Sequence, residues 1–185
     1  MIIYVDMDGV VALIEDTWLF RYNSDFDDNL QPSDIIDYGI HKFVKKECGT
    51  DVYRYLGEKG FFLEAKPDLD GCSLISQLHD KGHNIYFLTK IPSNAKYAFA
   101  EKREWLDLHL PLIGGDHLIG CSKKTPKGLL SGDFLIEDYW ENFKEFKGNC
   151  ILIDRPWNRH IDDNGFIRCY DWKEVEKTIN IYSIF

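Results

Sequence analysis

Short apolar runs that end at a turn or an acidic residue recur along the chain: Ile2 to Val5, Ile85 to Leu88, Leu118 to Cys121, Phe134 to Ile136 and Cys150 to Ile153. Runs of this length, bounded in this way, predict strands buried on both faces. Between them lie segments with helical periodicity. Leu69 to Lys81 places Leu69, Cys72, Ile75 and Leu78 on one face, and Ala95 to Leu110 is a second helix of the same kind. Strands alternating with helices predict an α/β fold, a Rossmann-like three-layer core whose parallel sheet is covered on both sides.

One region breaks the rhythm. From Ile14 to Ala65 there are helix-like pieces at Thr17 to Tyr22, Ser33 to Lys46 and Asp51 to Leu56, separated by Asn, Asp, Pro and Gly, and no strand-like run before Phe61-Phe62. A small helical cap inserted after the first strand accounts for it, giving a core of residues 1–13 and 66–185 and a cap of 14–65. Aromatic residues crowd this insertion. A subdomain this small needs bulky side chains for its own core, so most of them are expected inside it, with a few left to wall a substrate.

Composition narrows the function. A length of 185 residues suits a single core with one inserted subdomain. The formal charge of −9 would repel a polyanion, so neither a nucleic-acid polymer nor a membrane surface is an expected partner. A small phosphorylated substrate remains possible, because a few lysines or a metal ion override the global field at short range. The five cysteines form no C-x-x-C pair and the six histidines no metal-ligand motif. Reduced thiols, together with an N-terminus that enters a strand without a basic leader, predict a cytoplasmic protein.

Chemistry concentrates at predicted strand ends. Val5-Asp6-Met7-Asp8-Gly9-Val10 follows the first apolar run, and the two-residue period of a strand directs both carboxylates to one side, at the carboxyl end of the sheet. Two acids so close suit different tasks. Asp6 can stay ionised as a nucleophile or metal ligand, while its charge raises the proton affinity of Asp8 for general acid and base work. A calcium loop would need further oxygen ligands downstream, and Val10-Val11-Ala12-Leu13 supplies none. Thr89-Lys90 ends the strand at Ile85, Glu137-Asp138 ends the strand at Phe134, and Lys127 lies just upstream. A hydroxyl, a lysine and a second acidic pair complete a set able to hold phosphate and a hard metal ion.

In this order the motifs Asp6-Met-Asp8-Gly-Val, Thr89, Lys127 and Glu137-Asp138 resemble those of the haloacid dehalogenase-like phosphohydrolases, and more closely the 5'(3')-deoxyribonucleotidase family. Gly60-Phe61-Phe62, Glu101 to Trp105 and Asn158-Arg159-His160 extend the resemblance over nearly the whole chain. It implies Mg2+-dependent hydrolysis of a nucleoside monophosphate through an aspartyl phosphate on Asp6, with Asp8 as acid and base. Thr89, Lys90, Lys102 and Lys127 would bind phosphate, Lys124 being a rival to Lys127. Asp6, the Asp8 carbonyl, Glu137 and Asp138 would hold the metal, Glu137 through water. Trp18 and Phe61 are the cap residues chosen for an aromatic wall against the base, and a monomer or homodimer is expected. Another small phosphomonoester, or a non-catalytic binding role, remains the alternative.

Overall fold

The computed structural model describes residues 1–183. In chain order its regular elements are β1 (Ile2–Val5), β2 (Ala12–Leu13), α1 (Ile14–Phe26), β3 (Lys66–Pro67), α2 (Leu69–Asp80), β4 (Asn84–Ile91), α3 (Ala98–His109), β5 (Leu118–Ser122), β6 (Phe134–Glu137), β7 (Asn149–Ile153), β8 (Ile167–Cys169) and α4 (Trp172–Tyr182). Six strands form one parallel sheet in the order β5-β4-β1-β6-β7-β8. The expected α/β, Rossmann-like class is the one observed. The chain first builds outward from β1 to β4 and β5, then returns to add β6, β7 and β8 on the other side. This reversal puts a crevice at the carboxyl end of β1, where open α/β sheets bind ligands.

Alternate residues of the strands enter different layers. Ile3, Val5, Ile85, Phe87, Phe134 and Ile136 pack with Ile75 and Leu78 of α2, Trp105 and Leu106 of α3, and Val175 and Ile179 of α4. Tyr4, Leu88, Leu135 and Leu152 face the other way, against Phe143, Trp140, Phe146 and Phe166. The second layer therefore differs from the expected helical cover: it consists of connections with short 3-10 turns at Lys127–Leu129 and Trp140–Phe143. Right-handed crossovers send the links after β5 and β6 to that face, and those links are too short for a full helix.

The stretch 14–65 leaves the sheet directly after β1. Its two ends meet in an antiparallel stem, Ala12 opposite Pro67 and Leu13 opposite Lys66. Its own apolar cluster includes Leu19, Tyr22, Val52, Tyr55, Phe61 and Phe62. Only α1 is a regular helix here. The expected helix over Ser33 to Lys46 is two separate 3-10 turns, Pro32–Asp34 and Ile40–Lys42, and the piece at Asp51 to Leu56 lies in the 3-10 helix Gly49–Gly57. Pro32 and the left-handed Gly39, with φ +103°, interrupt the α-helical hydrogen-bond pattern. Phe61-Phe62 is a turn, not a strand. Its amide groups go to α3: the buried Glu101 carboxylate accepts from Gly60 N at 2.6 Å and Phe62 N at 3.2 Å. Trp105 Nε1 donates to Ala65 O at 2.7 Å, so α3 grips the returning segment along two turns.

Helix α2 starts at Asp68, whose carboxylate accepts from Gly71 N at 3.1 Å. Gly71 faces α4 so closely that a Cβ there would lie 2.5 Å from the Trp172 ring. Gly71→Ala is expected to destabilise the fold by about 1–3 kcal/mol through overpacking, read as a lower urea midpoint at constant m-value. An unchanged midpoint would show that the indole is free to yield.

Candidate active site

Asp6 continues β1 by one residue, its N–H donating to Ile136 O at 2.9 Å, while its carboxylate accepts from Met7 N at 2.8 Å. The chain then folds on itself: Val10, Val11 and Ala12 N–H groups converge on Met7 O at 3.2, 3.1 and 2.8 Å, and Gly9 N donates to Ala12 O at 2.9 Å. Gly9 has φ +71°, and a Cβ there would stand 2.6 Å from Asp138 Oδ2, so both the turn and the approach of the acidic pair require glycine. Backbone amides after Asp6 are thus largely consumed inside the turn; the Asp8 amide lies outside this network. Arg155 clamps the turn from β7's side, with Nε to Gly9 O at 2.7 Å and Nη2 to Val10 O at 3.1 Å and Asp68 Oδ2 at 3.2 Å.

Two buried lysines divide the carboxylates between them. Lys127 Nζ lies 2.9 Å from Asp6 Oδ1 and is also bonded to Glu137 Oε1. Lys102 Nζ lies 2.6 Å from Asp8 Oδ2 and donates to Thr89 Oγ1 at 2.7 Å. Each is only 1% exposed. Burial opposes the Lys127 charge, but Asp6 and Glu137 outweigh it and the pKa is raised. Asp8 is pushed up, by burial first and by Asp6, with Lys102 opposing. Its Oδ1 is buried without a hydrogen-bond partner. Of the two rival lysines, Lys127 sits at Asp6, whereas Lys124 is exposed on the cleft rim. Lys90 also lines the cleft, with its ammonium turned to the Thr125 carbonyl.

Asp6, Glu137 and Asp138 are buried and each offers an oxygen within 4.8 Å of the others. Asp138 Oδ2 accepts from Trp157 Nε1 at 2.8 Å, and Asn158 Nδ2 donates to the Asp138 carbonyl at 2.9 Å, so this ligand is aimed by its neighbours. Burial, then Asp6, raises both Glu137 and Asp138 well above the usual carboxylate range. Glu137 Oε2 is buried with no partner. Orphaned, crowded carboxylate oxygens are the hard donor set that suits Mg2+. The Asp8 carboxylate is turned to Lys102 and is not part of this cluster.

Above the carboxylates opens a cleft of about 830 Å³, lined from 14–65 by Trp18, Tyr38, His41 and Tyr53 and from the core by Tyr139 and Trp157. Trp18 stands on it as expected, its Nε1 donating to Val52 O at 2.8 Å. Phe61 does not. It is fully buried behind Trp18, edge-on at 5.7 Å, where it supports the wall without forming its surface. Tyr38, His41, Tyr53 and the positioning residues Arg155, Trp157 and Asn158 were not anticipated. The last three lie in the Asp154 to Arg159 segment, where three polar or aromatic residues after a strand end were the available signal. Nothing marks Tyr38 or His41, which sit in aperiodic chain.

The family model of the 5' nucleotidase, deoxy (Pyrimidine), cytosolic type C proteins matches residues 1–183. The chain belongs to this family. A 5'(3')-deoxyribonucleotidase of Clostridium acetobutylicum is 34% identical over 173 residues, 93% of this chain and 91% of that protein. A protein of the same name from Bacillus subtilis is 29% identical over 178 residues, 96% and 98% of the two chains. Among solved structures, the D,D-heptose 1.7-bisphosphate phosphatase from B. bronchiseptica, complexed with magnesium and phosphate, covers 98% of each chain with TM-score 0.56 at 12% identity, a likeness of fold. The resemblance drawn from the motifs is thereby borne out, and this family member is a phosphoric monoester hydrolase.

Removing Lys127 would leave Asp6 and Glu137 as uncompensated buried charges. Lys127→Met is expected to lose about 3–5 kcal/mol of unfolding free energy at neutral pH, whereas Lys124→Met should leave it unchanged. Urea titrations of the two variants decide this; equal, small effects would show that the buried ammonium is not what balances the site.

Proposed function

We propose that this hydrolase removes phosphate from (deoxy)nucleoside monophosphates, using Asp6 as nucleophile and Asp8 as acid and base. The observation that carries this reading is the separation of the two carboxylates onto different lysines, Asp6 on Lys127 and Asp8 on Lys102, at the floor of an aromatic-walled cleft. The Lys127 ammonium, 2.9 Å from Asp6 Oδ1, holds the attacking carboxylate in place. Asp8 would supply the proton for the leaving alcohol, burial raising its pKa against the opposing charge of Lys102. Asp6 attacks phosphorus, the ester P–O bond breaks, and the Asp8 proton goes to the departing oxygen. Water then attacks the aspartyl phosphate, gives its proton to Asp8, and releases phosphate and free Asp6. Thr89 and Lys102, buried behind Asp8 and bonded to each other, would bind the phosphate oxygens in this reading. Mg2+, held by Asp6 and Asp138 with Glu137 reaching it through water, would neutralise phosphate charge.

The stretch 14–65 acts in this reading as a cap that selects the substrate for a core of 1–13 and 66–185. Its support is the antiparallel stem beginning beside the catalytic turn, together with Trp18 on the cleft. No helix among the described residues is long and apolar enough to cross a membrane. Five unpaired thiols fit the cytoplasm as the place of action.

Asp6→Asn is expected to abolish turnover of a deoxynucleoside monophosphate with an unchanged circular dichroism spectrum, and chelation of Mg2+ to do the same reversibly. Substantial turnover by Asp6→Asn would overturn the covalent route. Stacking on a base is worth roughly 1–3 kcal/mol, so kcat/KM should favour the nucleotide over deoxyribose 5-phosphate by about tenfold or more. Trp18→Ala should erase much of that preference. Equal efficiency toward both compounds in the wild type would leave a general small-molecule phosphatase.

A further inference from the structure

One side chain from 14–65 reaches past the cleft wall to its floor. Tyr38 lies in the irregular chain between the 3-10 turns, and its ring stacks on Tyr139 with centroids 3.8 Å apart and planes inclined by 17°. Tyr139 directly follows Asp138, so the stack pins Tyr38 beside the acidic pair. Both residues line the cleft that contains Asp6 and Asp8. A second contact accompanies it: Asp37, 2.5 Å from Lys42, also faces His160 Nε2 at 3.7 Å. Gly39, at φ +103°, turns the chain away immediately afterwards.

The position of the phenol is more specific than a stack requires. Tyr38 is 45% exposed on the cleft that it lines together with Asp6, Asp8 and Asp138, and its pKa is raised well above the ordinary value, by desolvation first and then by Asp138, Asp6, Glu137 and Glu15. Among the described residues its hydroxyl makes no hydrogen bond within the protein, whereas the hydroxyls of Tyr22, Tyr53 and Tyr55 in the same stretch are all engaged. The hydroxyl is thus a free donor on the cleft that also holds Asp6 and Asp8, and for the stack on Tyr139 alone phenylalanine would serve equally well.

We infer that Tyr38 is a positioning residue of this hydrolase, its hydroxyl donating to a non-bridging oxygen of the substrate's phosphate while the Tyr38–Tyr139 stack holds the cap against the core. The inference rests on the proposed use of the Asp6 site for phosphate monoesters, and it adds a donor supplied by the cap to those supplied by the core. Such a bond forms with the bound phosphate before and during reaction, so its loss appears in KM more than in kcat.

The test is Tyr38→Phe, which keeps the ring and removes the hydroxyl. KM is measured for a deoxynucleoside monophosphate and for p-nitrophenyl phosphate, together with the inhibition constant of inorganic phosphate. A hydrogen bond to a charged acceptor corresponds to roughly a ten- to hundredfold change. All three constants are expected to rise by that factor, with kcat within about twofold of wild type and an unchanged thermal melt. Unchanged constants would overturn the inference. A rise confined to the nucleotide would also overturn it, because the hydroxyl would then contact the nucleoside. Wild-type turnover of p-nitrophenyl phosphate but not of the nucleotide would refute the nucleotidase reading alone, since the phosphate donor would still be tested by the other two constants.

Discussion

Everything at the carboxyl end of the sheet depends on neutralising a concentration of negative charge that the protein interior would otherwise reject. Asp6, Asp8, Glu137 and Asp138 meet around the end of β1, and burial alone would drive them to protonate or the site to open. Lys127 and Lys102 oppose this, Lys127 between Asp6 and Glu137 and Lys102 between Asp8 and the Thr89 hydroxyl, both almost fully withdrawn from solvent. Asp138, which neither lysine reaches, is held by Trp157 and Asn158 and shares with Glu137 the donor set that a divalent ion would complete. In a chain of net charge −9, two lysines so placed alter the local field far more than the surface charges do.

The same helix that delivers one of these lysines also anchors the inserted segment. Glu101 and Lys102 are neighbours on α3: the first accepts the amides of Gly60 and Phe62, and the second reaches Asp8 and Thr89. Trp105, one turn on, holds Ala65. Phe62 lies under the Lys102 ammonium, 4.8 Å from ring centroid to nitrogen. A displacement of the returning segment 60–65 therefore bears directly on the lysine at Asp8. Arg155 makes the equivalent connection on the other side by fastening the Gly9-Val10 turn to Asp68 at the head of α2. The inserted stretch and the carboxylate cluster are thus mechanically joined, although they draw on different stretches of chain.

Legibility in the sequence followed the physics of each element. The central strands were readable because burial on both faces leaves uninterrupted apolar runs, and α2 because its apolar residues keep a helical period. The strand β8 and helix α4 were missed, although Asp171 and Glu174 carry an N-terminal capping pattern: the Asp171 side chain accepts from Glu174 N at 2.9 Å and Tyr170 N donates to Glu174 at 2.7 Å. The 3-10 turns Pro32–Asp34 and Ile40–Lys42 are too short to display a period, and the nine-residue 3-10 helix Gly49–Gly57 differs from an α-helix in hydrogen bonding that the residue pattern does not reveal.

By itself the sequence determined the alternation of strands and helices, the place of the insertion and the positions of Asp6, Glu137 and Asp138 at the ends of strands, since strand ends and their polar punctuation are local properties. Only the tertiary structure decided which lysine meets which carboxylate, that Phe61 is hidden while Trp18 and Tyr38 face the cleft, and that Trp157 and Asn158 orient Asp138. Those contacts join segments far apart in the chain. Their partners are chosen by strand order, crossover hand and the exclusion of unpaired charge from the interior, and no local pattern of residues encodes that choice.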